Sequence, residues 1–403
     1  MARYRRWVTK KWLAATCALA STLALSAALG GMVDWQHQNG SRALAQSSPD
    51  LSANLPPVTV GDLNRFRAHI GGASVAVSVV ELDASQPDFQ MRPFWSSPYQ
   101  ITGLMDTQAA ARRAGADIVI NGGFFSRITH QPLGAIKVDN SWVSGPILGR
   151  GVMAWTDSGD FLFDRVHFYE EAQLSNGETL LISDLNSGYF RPGFSRYTPV
   201  WGRSYTTETD SEVAIVVENN RIVDIRIADA AGSLTLSIPS NGYLLVARQT
   251  DAVAQARSLP LGADVIVSTR TTPDLLSLYP HAIGAGPLLM KDGAIVLDAE
   301  LERFRPPFPT QRAARSAVGL TADRKLLFVT AGKGEEDTGI TLGEMAVLMQ
   351  QLGSQQALNL DGGTSSTLYV GDRVVNFNGR PPRVHNYLGI FQTSVRQPLR
   401  ARE

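Results

Sequence analysis

Short apolar runs dominate the chain from about residue 61 to residue 392. They are rich in β-branched residues and are bounded by Gly, Asn or Asp, a pattern that predicts β-strands. The predicted strands are Ala73–Leu82, Asp117–Ile120, Val213–Val217, Ile222–Ile227, Tyr243–Ala247, Asp264–Ser268, Leu326–Thr330 and Ala357–Leu360.

Two stretches have helical character. Gly103–Ala114 has a helix-forming composition, and Leu342–Leu352 repeats Met and Leu at helical spacing. Thr341 precedes the second stretch and Glu344 follows three residues later, which predicts a capping box. Gly353 then predicts the end of this helix.

The order strand, helix, strand over Leu326–Thr330, Leu342–Leu352 and Ala357–Leu360 predicts an αβ unit and a mixed sheet near the C-terminal end. We therefore predict one large α+β or mixed α/β domain over residues 61–392, with a mixed β-sheet core and few helices. No internal repeat or low-complexity tract interrupts this range.

The N-terminal residues 1–45 predict export. A basic start is followed by the uncharged run Trp12–Val33 and by Ala43-Leu44-Ala45, which is typical of a signal cleavage site. The uncharged run is also long enough for an uncleaved membrane anchor. Either alternative places the domain in the periplasm or outside the cell. Residues 46–60 are predicted to be a linker, and residues 393–403 a polar tail.

Composition excludes several classes of function. Of 403 residues, 44% are hydrophobic and 18% charged, enough for a large core. The chain after residue 45 has 31 basic and 36 acidic residues, which argues against nucleic acid as a partner. Cys17 is the only cysteine, so a disulfide, a thiolate metal site and a cysteine nucleophile are excluded after residue 45.

The histidines and glycines match none of the common cofactor motifs. The six histidines are scattered without ligand spacing, and no G-x-S-x-G, P-loop or dinucleotide motif is present. We predict no cofactor and no histidine-rich metal centre. The binding of a divalent cation by carboxylates stays open as an alternative.

Four segments place polar groups beside glycines at the end of an apolar strand. In the first, DIVINGGFF, the strand ends in Asn121 and is followed by Gly122 and Gly123. Glycines allow backbone amides to approach a ligand closely, and Asn121 could bond a sugar hydroxyl or a phosphate oxygen. The alternative is an Asn-Gly turn in which the two following phenylalanines belong to the core.

The second and third segments are AIGAGPLLM and RAARSAVGL. The small residues around Gly284 predict close contact with another backbone or with a ligand. Arg315 precedes an apolar strand, where a guanidinium could bind a phosphate in bidentate fashion. The alternative is that Arg315 lies on the surface and pairs with a carboxylate.

The fourth segment, ALNLDGGTSSTLYV, concentrates polar groups at a strand end. An acidic residue is followed by two glycines and three hydroxyl residues, which could cradle an anion. The alternative is an Asx turn that closes a hairpin. The residues are Asp361, Gly362, Gly363, Thr364, Ser365 and Ser366.

Together and in this order, NGGFF, GAGPLL, RSAVGL and LNLDGGTSSTLYV resemble the phosphodiester glycosidase family, over about residues 70–392. VSVVELD, TLGEMAVLMQQLG and RVHNYLGI resemble its opening strand, its last helix and its closing strand. Bacterial relatives are described as exopolysaccharide-related. The chain departs from the family pattern in an insert-like stretch, Gly188–Thr209, rich in aromatic residues and arginine, which could shape the substrate pocket.

The resemblance implies an exported hydrolase that cleaves the glycosidic bond of a sugar-1-phosphodiester, with an N-acetylglucosamine-type sugar or an envelope glycan as substrate. It implies Asp361 as the catalytic carboxylate and Arg315 as the phosphate ligand. Glu344 is a candidate second carboxylate, although capping explains it equally well. The implied substrate contacts are Asn121, Gly122, Gly123, Gly362, Gly363, Thr364, Ser365, Ser366 and Asn386.

Two other functions stay open at the level of sequence. One is a non-catalytic glycan-binding or exopolysaccharide-assembly protein on the same fold. Such a protein would use an exposed aromatic platform, for which the candidates are Tyr189, Phe190, Phe194, Tyr197 and Trp201. The other is a phosphodiesterase that cuts the P–O bond, which usually requires clustered metal ligands.

Overall fold

The computed structural model describes residues 63–85, 89–332 and 337–392, and all of them belong to one compact unit. The predicted export signal, linker and C-terminal tail lie outside the described residues. Within those residues, each of the eight predicted strands overlaps an observed strand. The protein is mostly β-sheet, with three α-helices in the described part.

The first sheet has seven strands, and all its neighbouring pairs are antiparallel. In spatial order the strands are β1 (Leu63–Ile70), β2 (Ala73–Asp83), β23 (Lys325–Ala331), β22 (Arg315–Thr321), β24 (Ser354–Asn359), β20 (Leu288–Lys291) and β21 (Ala294–Ile295).

Helix α3 (Leu342–Gln351) covers one face of this sheet. Thr341 and Glu344 form the predicted capping box, with Thr341 N donating to Glu344 Oε2 at 2.7 Å. Gly353 ends the helix with φ of 85°, a conformation that favours glycine. Met345 and Met349 pack with alternate residues of β2 and β23. The other face of the sheet is also buried, which explains the continuous apolar runs of these strands.

The prediction of a mixed sheet at this end of the chain is wrong. β23 and β24 flank α3 in sequence but are not neighbours, because β22 lies between them and is antiparallel to both. A parallel pair does occur in the second sheet, between β11 (Thr179–Leu185) and β12 (Gly193–Tyr197).

The second sheet also has seven strands and packs against α2 (Thr250–Ser258), a helix that was not predicted from the sequence. In spatial order the strands are β15 (Arg221–Ala228), β14 (Glu212–Glu218), β17 (Gly242–Arg248), β12, β11, β10 (His167–Leu174) and β18 (Val265–Thr272).

The stretch Gly188–Thr209 is not an insertion at the surface. It contains β12, which lies inside the second sheet between β11 and β17. Phe194, Tyr197 and Trp201 are core residues, 3%, 0% and 5% exposed. The aromatic platform expected here is therefore wrong for these three residues, because all three side chains are buried in the protein core.

Two five-stranded sheets complete the framework. The third has the order β7 (Ser141–Ser144), β6 (Ile136–Val138), β19 (His281–Gly284), β8 (Gly151–Trp155) and β9 (Phe161–Arg165). The fourth has the order β26 (Arg373–Val374), β25 (Leu368–Val370), β5 (Ile118–Asn121), β28 (Asn386–Gln392) and β3 (Phe89–Trp95).

The remaining elements are short. β13 (Ser204–Thr206) pairs with β16 (Thr235–Ser237), and β4 (Met105–Asp106) pairs with β27 (Arg383–Val384). Helix α1 (Thr107–Ala114) lies within the predicted Gly103–Ala114, and the Asp106 side chain caps its first turn. None of the helices in the described part of the chain has the length and apolar character that a membrane crossing requires.

The glycine-rich motifs mark places where the chain leaves one sheet for another. GAGPLL joins β19 of the third sheet to β20 of the first, and LDGGTSST joins β24 of the first sheet to β25 of the fourth. Gly123, which follows β5, lies against the Gly284 carbonyl. The first, third and fourth sheets therefore meet at these three motifs, and they share one apolar core.

Close backbone contact at this junction predicts that Gly123→Ala is strongly destabilising. An added Cβ would lie 2.2 Å from the Gly284 carbonyl oxygen, so the backbone itself would have to move. We expect a loss of about 2 kcal/mol or more in the free energy of unfolding, measured by urea denaturation.

Gly343→Ala is the matched control for this substitution. A Cβ at Gly343, on α3, would meet nothing closer than Thr341 Oγ1 at 4.0 Å. Alanine favours helix over glycine, so the control should gain up to about 1 kcal/mol. Equal effects of the two alanines would show that the junction tolerates a side chain.

Candidate active site

Asp361 lies at the end of β24, on the crossing from the first sheet to the fourth. Its side chain is partly buried, and its Oδ1 accepts the backbone N–H of Gly362 at 2.9 Å. The Ser365 hydroxyl donates a second hydrogen bond to the carboxylate. The carboxylate is therefore fixed by its own turn.

The pKa of Asp361 is raised to about 6. Burial is the main cause, because a carboxylate loses hydration inside the protein. The bonds from Ser365 and Gly362 oppose this shift, and so do the positive charges of Arg127 and Arg315. A carboxyl group that titrates near neutrality beside two guanidinium groups is typical of an active site.

Asn121 joins β5 to this crossing. Its amide nitrogen donates to the Asp361 carbonyl at 2.6 Å, and its Oδ1 accepts the Ser316 hydroxyl at 2.8 Å and the Thr367 N–H at 3.0 Å. The side chain is fully buried. The Asn121 amide is engaged by the protein itself, so the structure gives no support to its predicted contact with substrate.

Asn386 holds the glycine pair after β5 in the same way. Its Oδ1 accepts the Gly123 N–H at 2.6 Å, and its backbone carbonyl accepts the Gly122 N–H at 2.8 Å. His385 bonds the Asn386 amide nitrogen at 3.0 Å and is buried, which lowers the pKa of its imidazole to about 4. The backbone amides of Gly122 and Gly123, predicted to bind substrate, are therefore hydrogen-bonded within the protein.

The second glycine pair is also occupied. The Gly362 N–H bonds Asp361, and the Gly363 N–H donates to the Ala314 carbonyl at 2.6 Å. Ser366 is buried and accepts the Ser316 hydroxyl at 2.9 Å. The Gly362 and Gly363 amides are therefore engaged within the protein, so the structure gives no support to their part in the predicted anion cradle.

Thr364 and Arg127 lie at the exposed side of the turn. The Arg127 Nη2 approaches Thr364 Oγ1 at 3.4 Å, and the Arg127 charge lowers the pKa of Asp361. Both side chains are exposed. Arg127 was not predicted from the sequence, although it stands four residues after Gly123 on the loop that leaves the NGGFF motif.

Arg315 lies close enough to Asp361 for their charges to interact, but two of its three guanidinium nitrogens are engaged by backbone carbonyls. Its Nε donates to the Ile340 carbonyl at 3.2 Å, and its Nη2 donates to the Phe308 and Gln311 carbonyls at 3.1 and 2.7 Å. Burial lowers the pKa of Arg315 to about 10, so it stays charged. The bidentate phosphate contact predicted for Arg315 is therefore replaced by a structural role and by an electrostatic effect on Asp361.

Three phenylalanines and an arginine form an aromatic wall close to Arg315. Phe308 packs on the Arg315 guanidinium at 5.0 Å, and its ring centroid is 5.9 Å from that of Phe124 and 5.1 Å from that of Phe304. The Arg150 guanidinium lies 4.1 Å over the Phe304 ring. Phe124 is thus not simply a core residue, because all three rings are only half-buried.

Glu302 anchors the loop that carries Phe304 and Phe308. It is fully buried, and its carboxylate accepts the Gly151 and Leu288 N–H groups, both at 2.8 Å. Burial raises the pKa of this carboxyl, while those two bonds and Arg165 lower it. The loop has no periodic pattern of apolar residues, so the wall could not be predicted from the sequence.

Glu344 takes the capping role rather than a place beside Asp361. Besides its bonds to Thr341, its Oε1 accepts Arg312 Nη1 at 2.6 Å. The carboxylate is thus engaged by a helix end and an ion pair, so the structure gives no support to its prediction as a second catalytic carboxylate. Within the described residues, no group of three or more His, Asp or Glu side chains is arranged to hold a metal ion.

Sequence comparison supports the family resemblance for the part of the chain that contains Asp361. Residues 211–391 match the phosphodiester glycosidase family. The matched range includes Arg315, Asp361 and the wall loop, whereas Asn121 and Arg127 precede it. No curated protein matches the chain.

Solved structures share the fold of this phosphodiester glycosidase-like protein. A hypothetical protein from Synechocystis is 36% identical, with a TM-score of 0.78 over 84% of this chain and 64% of that one. This chain therefore spans less than two thirds of that relative. A candidate exported protein from Burkholderia pseudomallei K96243 is 21% identical, with a TM-score of 0.65 over 79% of this chain and 74% of that one, and shows the fold alone.

The raised pKa of Asp361 predicts a stability that depends on pH. The folded protein holds this proton more tightly than the unfolded chain, so stability falls as pH rises from 3.8 to about 6. Asp361→Asn removes the charge, and at pH 7.5 we expect it to be more stable than wild type by on the order of 2 kcal/mol.

Urea denaturation at pH 4 and at pH 7.5 measures this effect. The advantage of the variant over wild type should be much smaller at pH 4, where both side chains are neutral. The same difference at both values of pH would contradict a raised pKa for Asp361.

Proposed function

We propose that the protein is an exported hydrolase that cleaves the glycosidic bond of a sugar-1-phosphodiester. The observation that carries this proposal is the Asp361 carboxyl, with its pKa near 6, between the charges of Arg127 and Arg315. The family match over residues 211–391 supports the same chemistry. Export rests on the sequence pattern of residues 1–45.

Cleavage of a glycosidic bond develops positive charge at the anomeric carbon. Asp361, ionised above about pH 6, would stabilise this charge or activate the attacking water. A phosphate ester leaves as a stable anion and needs little help from a general acid. This fits a site in which Glu302 and Glu344 are both engaged by structural partners.

Arg127 and Thr364 are the proposed contacts for the phosphate group. They lie together at the exposed side of the turn that holds Asp361. A guanidinium there would bind the phosphate and stabilise the negative charge that the leaving group gains. Arg315 would contribute its charge from behind, since carbonyl groups occupy its Nε and Nη2.

The aromatic wall is the proposed platform for the sugar. Phe124, Phe304 and Phe308 present half-buried rings near Arg315, and a sugar can pack its apolar face on such rings. Arg150 is fixed over two of these rings and has a pKa lowered by burial. Its position at the edge of the wall suits a hydrogen bond to a sugar hydroxyl.

Hydrolysis of N-acetylglucosamine 1-(methyl phosphate) tests the proposal. The wild-type protein should release free N-acetylglucosamine and methyl phosphate, as followed by chromatography. Asp361→Asn should lower kcat by about a thousandfold or more, because the carboxylate acts on the transition state.

Asp372→Asn is the matched control, since Asp372 is an exposed aspartate eleven residues along the same chain segment. It should leave the rate unchanged. In water labelled with heavy oxygen, glycosidic cleavage should leave methyl phosphate without label, because water attacks the anomeric carbon. Labelled methyl phosphate, or release of N-acetylglucosamine 1-phosphate, would instead establish cleavage of a P–O bond. Equal rates for wild type and Asp361→Asn would remove Asp361 from the mechanism.

Arg127→Gln should change both binding and pH dependence. The Arg127 charge lowers the pKa of Asp361, so its removal should shift the acidic limb of kcat/KM to higher pH. Loss of the phosphate contact should raise KM about tenfold.

A pH profile of wild type and variant measures both effects, with the exposed Arg373→Gln as control. A purely structural role of Arg127 would lower activity without moving the limb. An unmoved limb with an unchanged KM would exclude Arg127 from the site.

A further inference from the structure

A second cavity lies on the second sheet, beside α2. Its volume is about 580 Å³, within the range of small-molecule binding sites. Three parts of the chain form it: Phe190–Pro192, Thr209–Ser211, and Arg248 with the side of α2. None of its lining residues belongs to the candidate active site around Asp361.

Three arginines and one aspartate line this cavity, and two buried carboxylates outside the lining neutralise two of the arginines. Arg191 pairs with Asp184 at 2.9 Å, and Arg248 pairs with Glu212 at 2.8 Å. Asp210 and Arg257 add one charge of each sign. A cavity without surplus charge favours a neutral ligand, because a charged ligand would lose hydration without gaining an opposite charge.

Phe190 gives the cavity a fixed aromatic surface. The Arg248 guanidinium lies 5.0 Å from the centre of its ring. Arg248 is itself held by Glu212, by Ser195 at 2.8 Å and by two tyrosine hydroxyls at 2.7 and 2.9 Å. The arginine and the ring packed on it are therefore preorganised before any ligand arrives.

The backbone at the cavity is strained. Gln249 follows Arg248 immediately and has φ of 67°, a conformation that non-glycine residues seldom adopt. Strain of this kind persists where the surrounding structure enforces it, and it clusters at binding sites. Gln249 and Arg257 of α2 both line the cavity.

From these observations we propose that the cavity is a second saccharide-binding site, which takes a neutral sugar unit. The sugar packs its apolar face on Phe190. Its hydroxyl groups bond to the polar side chains around the ring, among them Asp210, Gln249 and Arg257. Binding here does not require Asp361, so the proposal is independent of the hydrolase activity.

Titration calorimetry with the full chain tests the proposal. The probes are neutral tetrasaccharides of glucose, of galactose and of N-acetylglucosamine. At least one should bind wild type, and Phe190→Ala should weaken its binding at least about tenfold. Arg257→Ala should also weaken binding. Because the Arg257 side chain is exposed, this variant should fold normally, and it tests the site even if the Phe190 variant misfolds.

Asp361→Asn and Phe304→Ala are the matched controls, because both change the other site. Both should bind the tetrasaccharide as tightly as wild type. Binding that is lost in Phe304→Ala but kept in Phe190→Ala would place the sugar at the aromatic wall and overturn the proposal. Failure of all three tetrasaccharides to bind wild type would overturn it as well.

Discussion

The hydrogen bonds of the Asn121 side chain are the interaction on which the rest of the candidate site depends. One buried amide ties the end of β5 to the Asp361 carbonyl, to Ser316 on β22 and to the start of β25 at Thr367. A buried amide must satisfy both its donor and its acceptor, so it fixes these three segments relative to one another. Asp361 is therefore placed by backbone that belongs to two sheets, and its position does not depend on a flexible loop.

This placement has an electrostatic consequence. The junction that fixes Asp361 also removes its carboxylate from water, and burial raises its pKa despite two hydrogen bonds and two nearby arginines. Ionisation of Asp361 at neutral pH thus costs the folded state free energy. Natural proteins retain such destabilising groups mainly where function needs them. The same logic does not extend to Glu302, whose carboxylate is fully used in holding two backbone amides and Arg165.

The sequence was sufficient for the strands and for the capping box of α3, because apolar periodicity and capping are local properties. It was not sufficient for the partners of polar groups. The amides of Gly122 and Gly123 were predicted to face a ligand, yet they face Asn386, which is more than 260 residues away along the chain. A glycine pair indicates close approach by some group, and only the fold decides whether that group is a ligand or another backbone. For the same reason Arg127 was missed, since nothing local distinguishes it from other exposed arginines.

The glycine junction and the aromatic wall near Asp361 are subject to different packing constraints. The glycine junction next to the Asp361 turn is closely packed, and an added Cβ at Gly122, Gly123 or Gly284 would meet neighbouring atoms at less than 3 Å. Two rings of the aromatic wall, Phe304 and Phe308, come instead from the loop between β21 and β22, which is anchored by Glu302 and by the carbonyls that Arg315 holds. Side chains between those anchors can change without disturbing the junction. Under the proposed function, such a fold would keep the carboxylate at the junction while the wall is altered for other sugars, so the wall would set the substrate and the junction the chemistry.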